Sequence, residues 1–455
     1  MGKTDSHAGK ALVKKKIVNF RDMGRNTTCF VFCCLLTGML AGCSSSSKST
    51  TAEKQGEMAS LYNPSRLSLH PDFSIYHEND NFSVLYIRAY PSELRFNATN
   101  EQSEYRALLK LKYDLISLDE AAGEEGTLVD SASVVYKLLE RDERSPAFFA
   151  SLTIPVNQGK RYLLKLATTD LNRGSMGLEY LYVDKTSPVS AQNFKVVSSY
   201  SGYPKFMRFF LTGEKFNVVY RDRGQDSIYV DFFKPENELP RPPITASSDY
   251  TMNYTPDTTY VFPMVDTVDY DLRREGMYLV KVDKEHELGL TLFNFGGSFP
   301  QVKTARELME PLFYLATLAE YRDLRTQPNR KLAVDNFWLR IGNSIEKSRE
   351  LIRIYYNRVV YSNLYFSSNK QGWKTDQGMI FILFGPPSRI QMTGKGESWY
   401  YYAKRRSKVV EFKFMREQDA FSDSNMIWQK TTDSQMYYNE AIRSWKNGKV
   451  YSMGS

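Results

Sequence analysis

Gly372-Trp373-Lys374-Thr375-Asp376-Gln377-Gly378 leads into Met379-Ile380-Phe381-Ile382-Leu383-Phe384, and Gly385-Pro386-Pro387 follows. The first seven residues are polar and turn-forming around one large ring. Gly372 supplies a backbone turn closed to other residues, and Trp373 is large enough to cover a helix–sheet junction. Thr375 and Asp376 have short oxygen-bearing side chains that bond nearby backbone amides. The next six residues are apolar throughout and predict a buried strand, which Gly385-Pro386-Pro387 stops and redirects.

Upstream of this stretch the period is helical. Thr304 with Glu307 fits a capping box. Ala305, Leu308, Leu312, Leu315, Ala316 and Ala319 recur at helical spacing, with Pro311 kinking or restarting the helix. A longer helix is expected through Phe337, Ile341, Ile345, Ile352, Tyr355, Val359, Asn363 and Phe366, with Glu346, Arg349 and Arg353 on its other face. Downstream, residues 399–402 and 408–414 read as strands. Val410, Phe412 and Phe414 share one face, with Glu411 and Lys413 opposite. Gly394-Lys395-Gly396-Glu397 reads as a hairpin turn. Residues 298–455 are therefore expected to form an α+β unit of two long helices and a small antiparallel sheet.

Before residue 298 the period is two. Tyr105, Ala107, Leu109, Leu111, Tyr113 and Leu115 alternate with a mostly polar set, as a strand with one solvated face requires. Further strands are expected at 82–87, 162–166 and 178–183, with Leu171-Asn172-Arg173-Gly174 as a turn. Together they predict an antiparallel sandwich over residues 61–187, immunoglobulin-like in outline. After Ser187-Pro188, strands at 206–211, 216–220, 227–233 and 277–282 predict a second such sandwich over 188–297. Residues 235–263 contain Pro240, Pro242, Pro243 and Pro256 and are expected as a long loop or edge excursion. The fold class is thus multidomain and mainly β: two immunoglobulin-like β-sandwiches, then the C-terminal α+β unit.

All four cysteines lie close together, at Cys29, Cys33, Cys34 and Cys43. Residues 30–39 are apolar or small, about as long as the core of an export signal and too short to cross a bilayer comfortably. They lead into Leu40-Ala41-Gly42-Cys43, which resembles the lipobox of bacterial lipoproteins. That resemblance implies that 1–42 are a signal peptide and that Cys43 opens the mature chain. It also implies a lipid on Cys43 that holds the protein on a membrane. Met23-Gly24-Arg25 would begin a signal of ordinary length, so residues 1–22 are expected to precede the true start. Residues 43–60 are then a lipidated, solvated tether.

Residues 1–43 hold seven Lys/Arg and two Asp/Glu, so processing leaves 53 basic and 50 acidic residues, a net charge of +3 rather than +8. Little in that balance argues for nucleic acid. Cys43 would be the only cysteine left, which excludes intramolecular disulfides, cysteine catalysis and thiolate zinc sites from the mature chain. Ser44-Ser45-Ser46-Ser47-Lys48 has no acidic cluster of the kind associated with surface export. The periplasmic face of the outer membrane is therefore expected.

Gly372-Trp373-Lys374-Thr375-Asp376 resembles the motif that names the GWxTD domain. Phe337-Trp338, Tyr356-Asn357-Arg358-Val359, Phe384-Gly385-Pro386-Pro387 and Ser398-Trp399-Tyr400-Tyr401 resemble its surroundings in the same order. Gln377 stands where the resemblance leads us to expect a basic residue. The whole looks like envelope lipoproteins of Bacteroidetes-type bacteria that carry this domain after β-rich regions. That family has no established activity, so the resemblance implies an address and an architecture.

Two readings of Gly372, Trp373, Thr375 and Asp376 stay open: a structural turn, for which their residue types suffice, and a ligand or partner site. Trp399-Tyr400-Tyr401-Tyr402 runs into Lys404-Arg405-Arg406. Trp399, Tyr401, Arg405 and Arg406 would stack on glycan rings, grip a protein or approach anionic polymers. The competing reading is a strand whose alternate aromatics pack in the core, ending in a solvated hairpin tip. His70, His77 and His286 are far apart and lack metal-ligand spacing. Asp266, Asp269 and Asp271 lack the glycine and terminal glutamate of a calcium loop and read as a solvated turn. No G-x-S-x-G elbow or complete phosphate loop is present.

No cofactor or metal is expected, and the chain reads as a non-enzymatic scaffold or adaptor in a cell-envelope assembly, with protein secretion as one such assembly. The alternative is a glycan- or peptidoglycan-binding lipoprotein. A hydrolase, whose carboxylates need not be near in sequence, is a third reading.

Overall fold

The computed structural model describes residues 61–63, 69–98, 105–118, 126–222, 224–235, 255–265, 268–402, 408–417, 421–422 and 425–453. The expected signal, Cys43 and the tether lie outside the described residues, as do Asp266, Arg405 and Arg406.

The period-two segments form the first β body: β1 (Asp72–His77), β2 (Phe82–Ala89), β3 (Asn97–Ala98), β4 (Tyr105–Ser117), β5 (Thr127–Leu139), β6 (Phe148–Pro155), β7 (Arg161–Asp170) and β8 (Met176–Asp184). One antiparallel sheet has the order β1-β2-β6. The other runs β3-β4-β7-β8, with β5 pairing β4. Phe73, Ile75, Leu85 and Ile87 from the first sheet meet Leu111, Tyr113, Leu115, Leu164 and Leu166 from the second. The alternation in β4 thus has a physical cause: its odd residues face the other sheet.

The second β body has β9 (Phe194–Ser198), β10 (Lys215–Tyr220), β11 (Ser227–Phe233), β12 (Thr258–Pro263), β13 (Tyr270–Asp271), β14 (Gly276–Lys281) and β15 (Leu290–Asn294). Its sheets, β13-β10-β9 and β12-β11-β14-β15, share a core that includes Phe194, Phe216, Val218, Ile228, Val230 and Leu292. Every residue of β14 and β15 is buried, because Met277, Leu279 and Phe293, beside Phe233 of the neighbouring strand, pack on their other side against Phe421. The expected strand at 206–211 is not one. Only Phe209 bridges Phe293, and the chain bends around it. Phe209 and Phe210 enter different clusters, so their apolar character serves anchoring rather than a ladder.

The C-terminal body contains α1 (Ala305–Met309), α2 (Leu318–Thr326), α3 (Arg330–Gly342), α4 (Ile345–Phe366), α5 (Asp376–Phe384), β16 (Arg389–Thr393), β17 (Gly396–Tyr402), β18 (Val409–Glu417), β19 (Asn425–Gln429) and α6 (Thr432–Lys446). The four strands form an antiparallel sheet in sequence order, with Thr393 and Gly396 closing the expected hairpin. The Thr304–Glu307 capping box is present, and after Met309 the chain passes through a 3₁₀ turn containing Pro311.

Two expectations fail here. The long helix through Phe337 and Phe366 is two helices, α3 and α4. Asn343 is left-handed at φ +61°, and Ser344 caps α4 through the Lys347 amide. The apolar run 379–384 is the helix α5 rather than a strand. An unbroken apolar run has no period to read, and residues from Gln377 to Phe384 are buried on every side.

Two ionisable groups buried in the first β body, Lys185 and His77, are bonded. Lys185 donates to the carbonyls of Asn79, Phe82 and Val156 at 2.6, 3.2 and 3.0 Å. The His77 ring lies between Ser83 Oγ at 2.7 Å and the Asp184 carbonyl at 3.0 Å. Burial drives the His77 pKa down to about 4, against the opposing pull of the Asp184 carbonyl. Unfolded, the ring protonates near 6.5. Its contribution to stability is therefore complete above that pH and is lost as pH falls toward 4. Urea unfolding at pH 5 should show about 2 kcal/mol less from this residue than at pH 7.5, and His77→Gln should remove that part of the pH dependence.

Candidate functional site

The turn Gly372–Lys374 sits against the last turns of α4. A Cβ on Gly372 would lie 1.8 Å from the Ser362 carbonyl oxygen. Glycine is required there by close backbone approach, since Gly372 is not among the positive-φ residues. The sequence expectation named the right residue for a different reason. The Gly372 amide donates to Ser367 Oγ at 2.8 Å, and the Trp373 amide to Asn363 Oδ1 at 3.2 Å.

The Trp373 ring is buried. Its indole N–H donates to Gln371 Oε1 at 2.7 Å, and its carbonyl accepts from the Tyr314 hydroxyl at 2.6 Å. Thr375 caps α5: its Oγ1 accepts from the Gly378 amide at 3.0 Å and donates to the Gly372 carbonyl at 2.7 Å. Asp376 Oδ2 accepts from the Trp428 amide at 2.8 Å, tying the start of α5 to β19. The carboxylate also sits favourably at the positive end of the helix.

The other end of α5 is closed by residues that sequence reasoning did not assign this role. The Arg358 guanidinium donates to the carbonyls of Ile382 and Leu383 at 2.9 and 3.1 Å. The Trp445 indole donates to the Leu383 carbonyl at 2.9 Å, and the Tyr401 hydroxyl to the Gly385 carbonyl at 2.8 Å. Gly385 adopts φ +82°.

Glu397, read from sequence only as part of a hairpin turn, is buried. Its carboxylate accepts from the Trp399 indole at 2.8 Å, the Gln377 amide at 3.0 Å and the Tyr62 hydroxyl at 3.0 Å. Burial nevertheless raises its pKa, with those donors opposing. Glu179 lies near it on β8. Burial and the neighbouring carboxylates of Asp72 and Glu397 push Glu179 up to about 7. The signal for Glu397 was available in the alternation of β17, which puts it on the same face as Trp399 and Tyr401.

These groups form a seam between the first β body and the C-terminal body. Leu61, Leu163 and Tyr180 share a core cluster with α3, α4 and α5. The Tyr182 hydroxyl donates to the Thr393 carbonyl at 2.8 Å, and Arg416 stacks 4.3 Å from the Tyr182 ring. Tyr62 packs on Phe366 and Trp399 at 4.8 and 5.3 Å.

The expected aromatic surface needs correction. Trp399 and Tyr401 are buried and face α5, because alternate residues of β17 point inward. Tyr400 faces outward, where it lines a groove of about 200 Å³ with Gln391, Ser398, Glu411 and Lys413. Its hydroxyl lies 3.3 Å from Gln391 Oε1 and 3.1 Å from Glu411 Oε1.

His70 pairs with Glu93, and Asp271 with Arg273. Asp269 accepts from Ser199 and Asn217. Among the described residues no three His, Cys, Asp or Glu side chains are grouped to hold a metal ion.

Three substitutions test this site. Trp373→Ala should cost about 3–5 kcal/mol of stability in chemical unfolding, and Asp376→Ala about 1–3 kcal/mol by orphaning the Trp428 amide. Loss of partners from variants that unfold normally would make the motif a binding site instead. Glu179 protonates more readily folded than unfolded, so its contribution is present below pH ~4.5 and is lost as pH rises through about 7. Glu179→Gln should therefore raise the melting temperature at pH 8 and leave it unchanged at pH 4.

Residues 276–447 match the family model described as the GWxTD domain. No curated protein matches the chain. The match begins on the first residue of β14 and ends one residue after α6, so it takes in two strands of the second β body as well as the helices and the small sheet. The chain carries a GWxTD domain, joined to β sheets that precede it.

Proposed function

We propose that this protein is a lipoprotein of the outer membrane of Bacteroidetes-type bacteria, facing the periplasm and acting as a non-enzymatic adaptor in an envelope assembly. The observation that carries the reading is the apolar run into Leu40-Ala41-Gly42-Cys43, followed by a Ser/Thr/Lys-rich segment. A single acyl chain anchors weakly, so stable attachment fits the multiple chains of lipoprotein maturation. The adaptor reading is supported by the motif's own chemistry. Gly372, Trp373, Thr375 and Asp376 spend their polar atoms on internal bonds. The working part is then the outer surface of the three bodies, with the two β bodies, immunoglobulin-like in this reading, as spacers and contact surfaces. A secretion machine is one assembly that such an adaptor would serve.

A second reading is favoured by the outward groove around Tyr400, where a half-buried ring is flanked by amide, hydroxyl and carboxylate groups suited to a glycan. One experiment separates the two. The protein is captured from detergent-solubilised envelopes and, in parallel, incubated with purified cell-wall sacculi. Stoichiometric protein partners identified by mass spectrometry are expected for the adaptor. Retention on sacculi that Tyr400→Ala abolishes would overturn it in favour of the glycan reading. Cys43→Ser should abolish incorporation of labelled palmitate, and incorporation that persists would sink the anchor.

A further inference from the structure

We propose that the C-terminal body, rather than either β body, rests against the membrane, on anionic lipid headgroups. The proposal rests on the lipid anchor at Cys43. Two observations beyond that anchor carry it.

The first is where the chain enters the described structure. Leu61 is buried and Tyr62 is bonded to Glu397, both at the seam between the first β body and the C-terminal body. Eighteen residue steps separate Cys43 from Leu61. A chain of that many residues reaches at most ~60 Å. The bilayer is therefore held within that reach of the seam, which the first β body and the C-terminal body flank.

The second is charge. Residues 298–455 carry 25 Lys/Arg against 15 Asp/Glu, a net +10. Residues 61–297 carry 26 against 33, a net −7. The near-neutral total conceals two parts of opposite sign, and an anionic surface attracts one and repels the other.

Residues 305–366 hold ten Lys/Arg against seven Asp/Glu, a net +3 of that excess. Arg322, Arg325, Arg330, Lys347, Arg349 and Arg353 are all exposed. Among them Leu332, Leu339 and Ile345 are 53%, 44% and 54% exposed. Solvent-facing leucine and isoleucine bordered by basic side chains suit the headgroup layer, where the apolar groups insert and the cations meet phosphate. The helix α4 runs from this patch to the seam. Ile345 is at one end, and at the other Phe366 packs on Tyr62. Its 22 residues span about 33 Å. Patch and tether meet the same bilayer when α4 lies along it.

The test places a fluorophore at Asn336→Cys on α3, Ser133→Cys on β5 or Tyr200→Cys after β9. All three sites are exposed, and the acylated chain has no other thiol. Each lipidated protein is reconstituted on vesicles of neutral phosphatidylcholine, with or without about 30% phosphatidylglycerol, containing a headgroup-labelled energy acceptor. On anionic vesicles, transfer from position 336 should exceed that from 133 and 200 several-fold. The excess should fall in about 0.5 M salt, on neutral vesicles, and in Arg349→Glu/Arg353→Glu. Equal transfer from all three positions, or an excess that ignores lipid charge, overturns the proposal while leaving the anchor intact. Protein that does not float with the vesicles overturns the anchor, and the proposal with it.

Discussion

A helix buried along its whole length must satisfy its terminal amides and carbonyls from protein groups, because water cannot reach them. This constraint organises the C-terminal body. Apolar residues surround α5, so packing draws it to the centre, and the ends become the costly part. At one end Thr375 bonds the Gly378 amide and Asp376 anchors the Trp428 amide. At the other, Arg358 and Trp445 bond the last carbonyls. These groups come from α4, β19 and α6, so closing one short helix aligns all three. The motif that looks most like a site is, in its geometry, the start of that closure.

The same body makes a second demand on its neighbours. Glu397 is a buried carboxylate on the inner face of β17, and an isolated charge there would be prohibitive. Three donors reach it, one from α5, one from its own strand and one from Tyr62, which precedes the first β body. The half-buried Glu179 lies across the same seam with its pKa raised. The contact between the first β body and the C-terminal body is thus polar at its centre and aromatic around it. The second β body is joined differently, through Phe421, which packs on the outer side of β14 and β15.

Much of this was readable in order along the chain. Strands with alternating faces announced themselves through β4 and β18, because a half-buried strand must alternate. The capping box at Thr304 was readable because its chemistry is local. The failures share a cause. The run 379–384 has no polar face, so nothing in it distinguishes a helix from a strand once both sides are buried. The break at Asn343 depends on how α3 and α4 pack around Gly342, whose Cβ would meet Ser348 at 2.2 Å. Trp399 and Tyr401 were candidates for a surface until the register of β17 turned them inward and Tyr400 outward.

By itself the sequence determined the alternation of the strands, the helical character of residues 305–366 and the motif that marks the GWxTD domain. These follow from local periods and from residue types at fixed spacing. Only the tertiary structure decided that the motif caps a buried helix, that Glu397 joins two bodies through Tyr62, and that glycine at 372 answers a carbonyl ten residues earlier. Each of those depends on which distant groups meet in space, and packing geometry, unlike periodicity, is not written in any short stretch of chain.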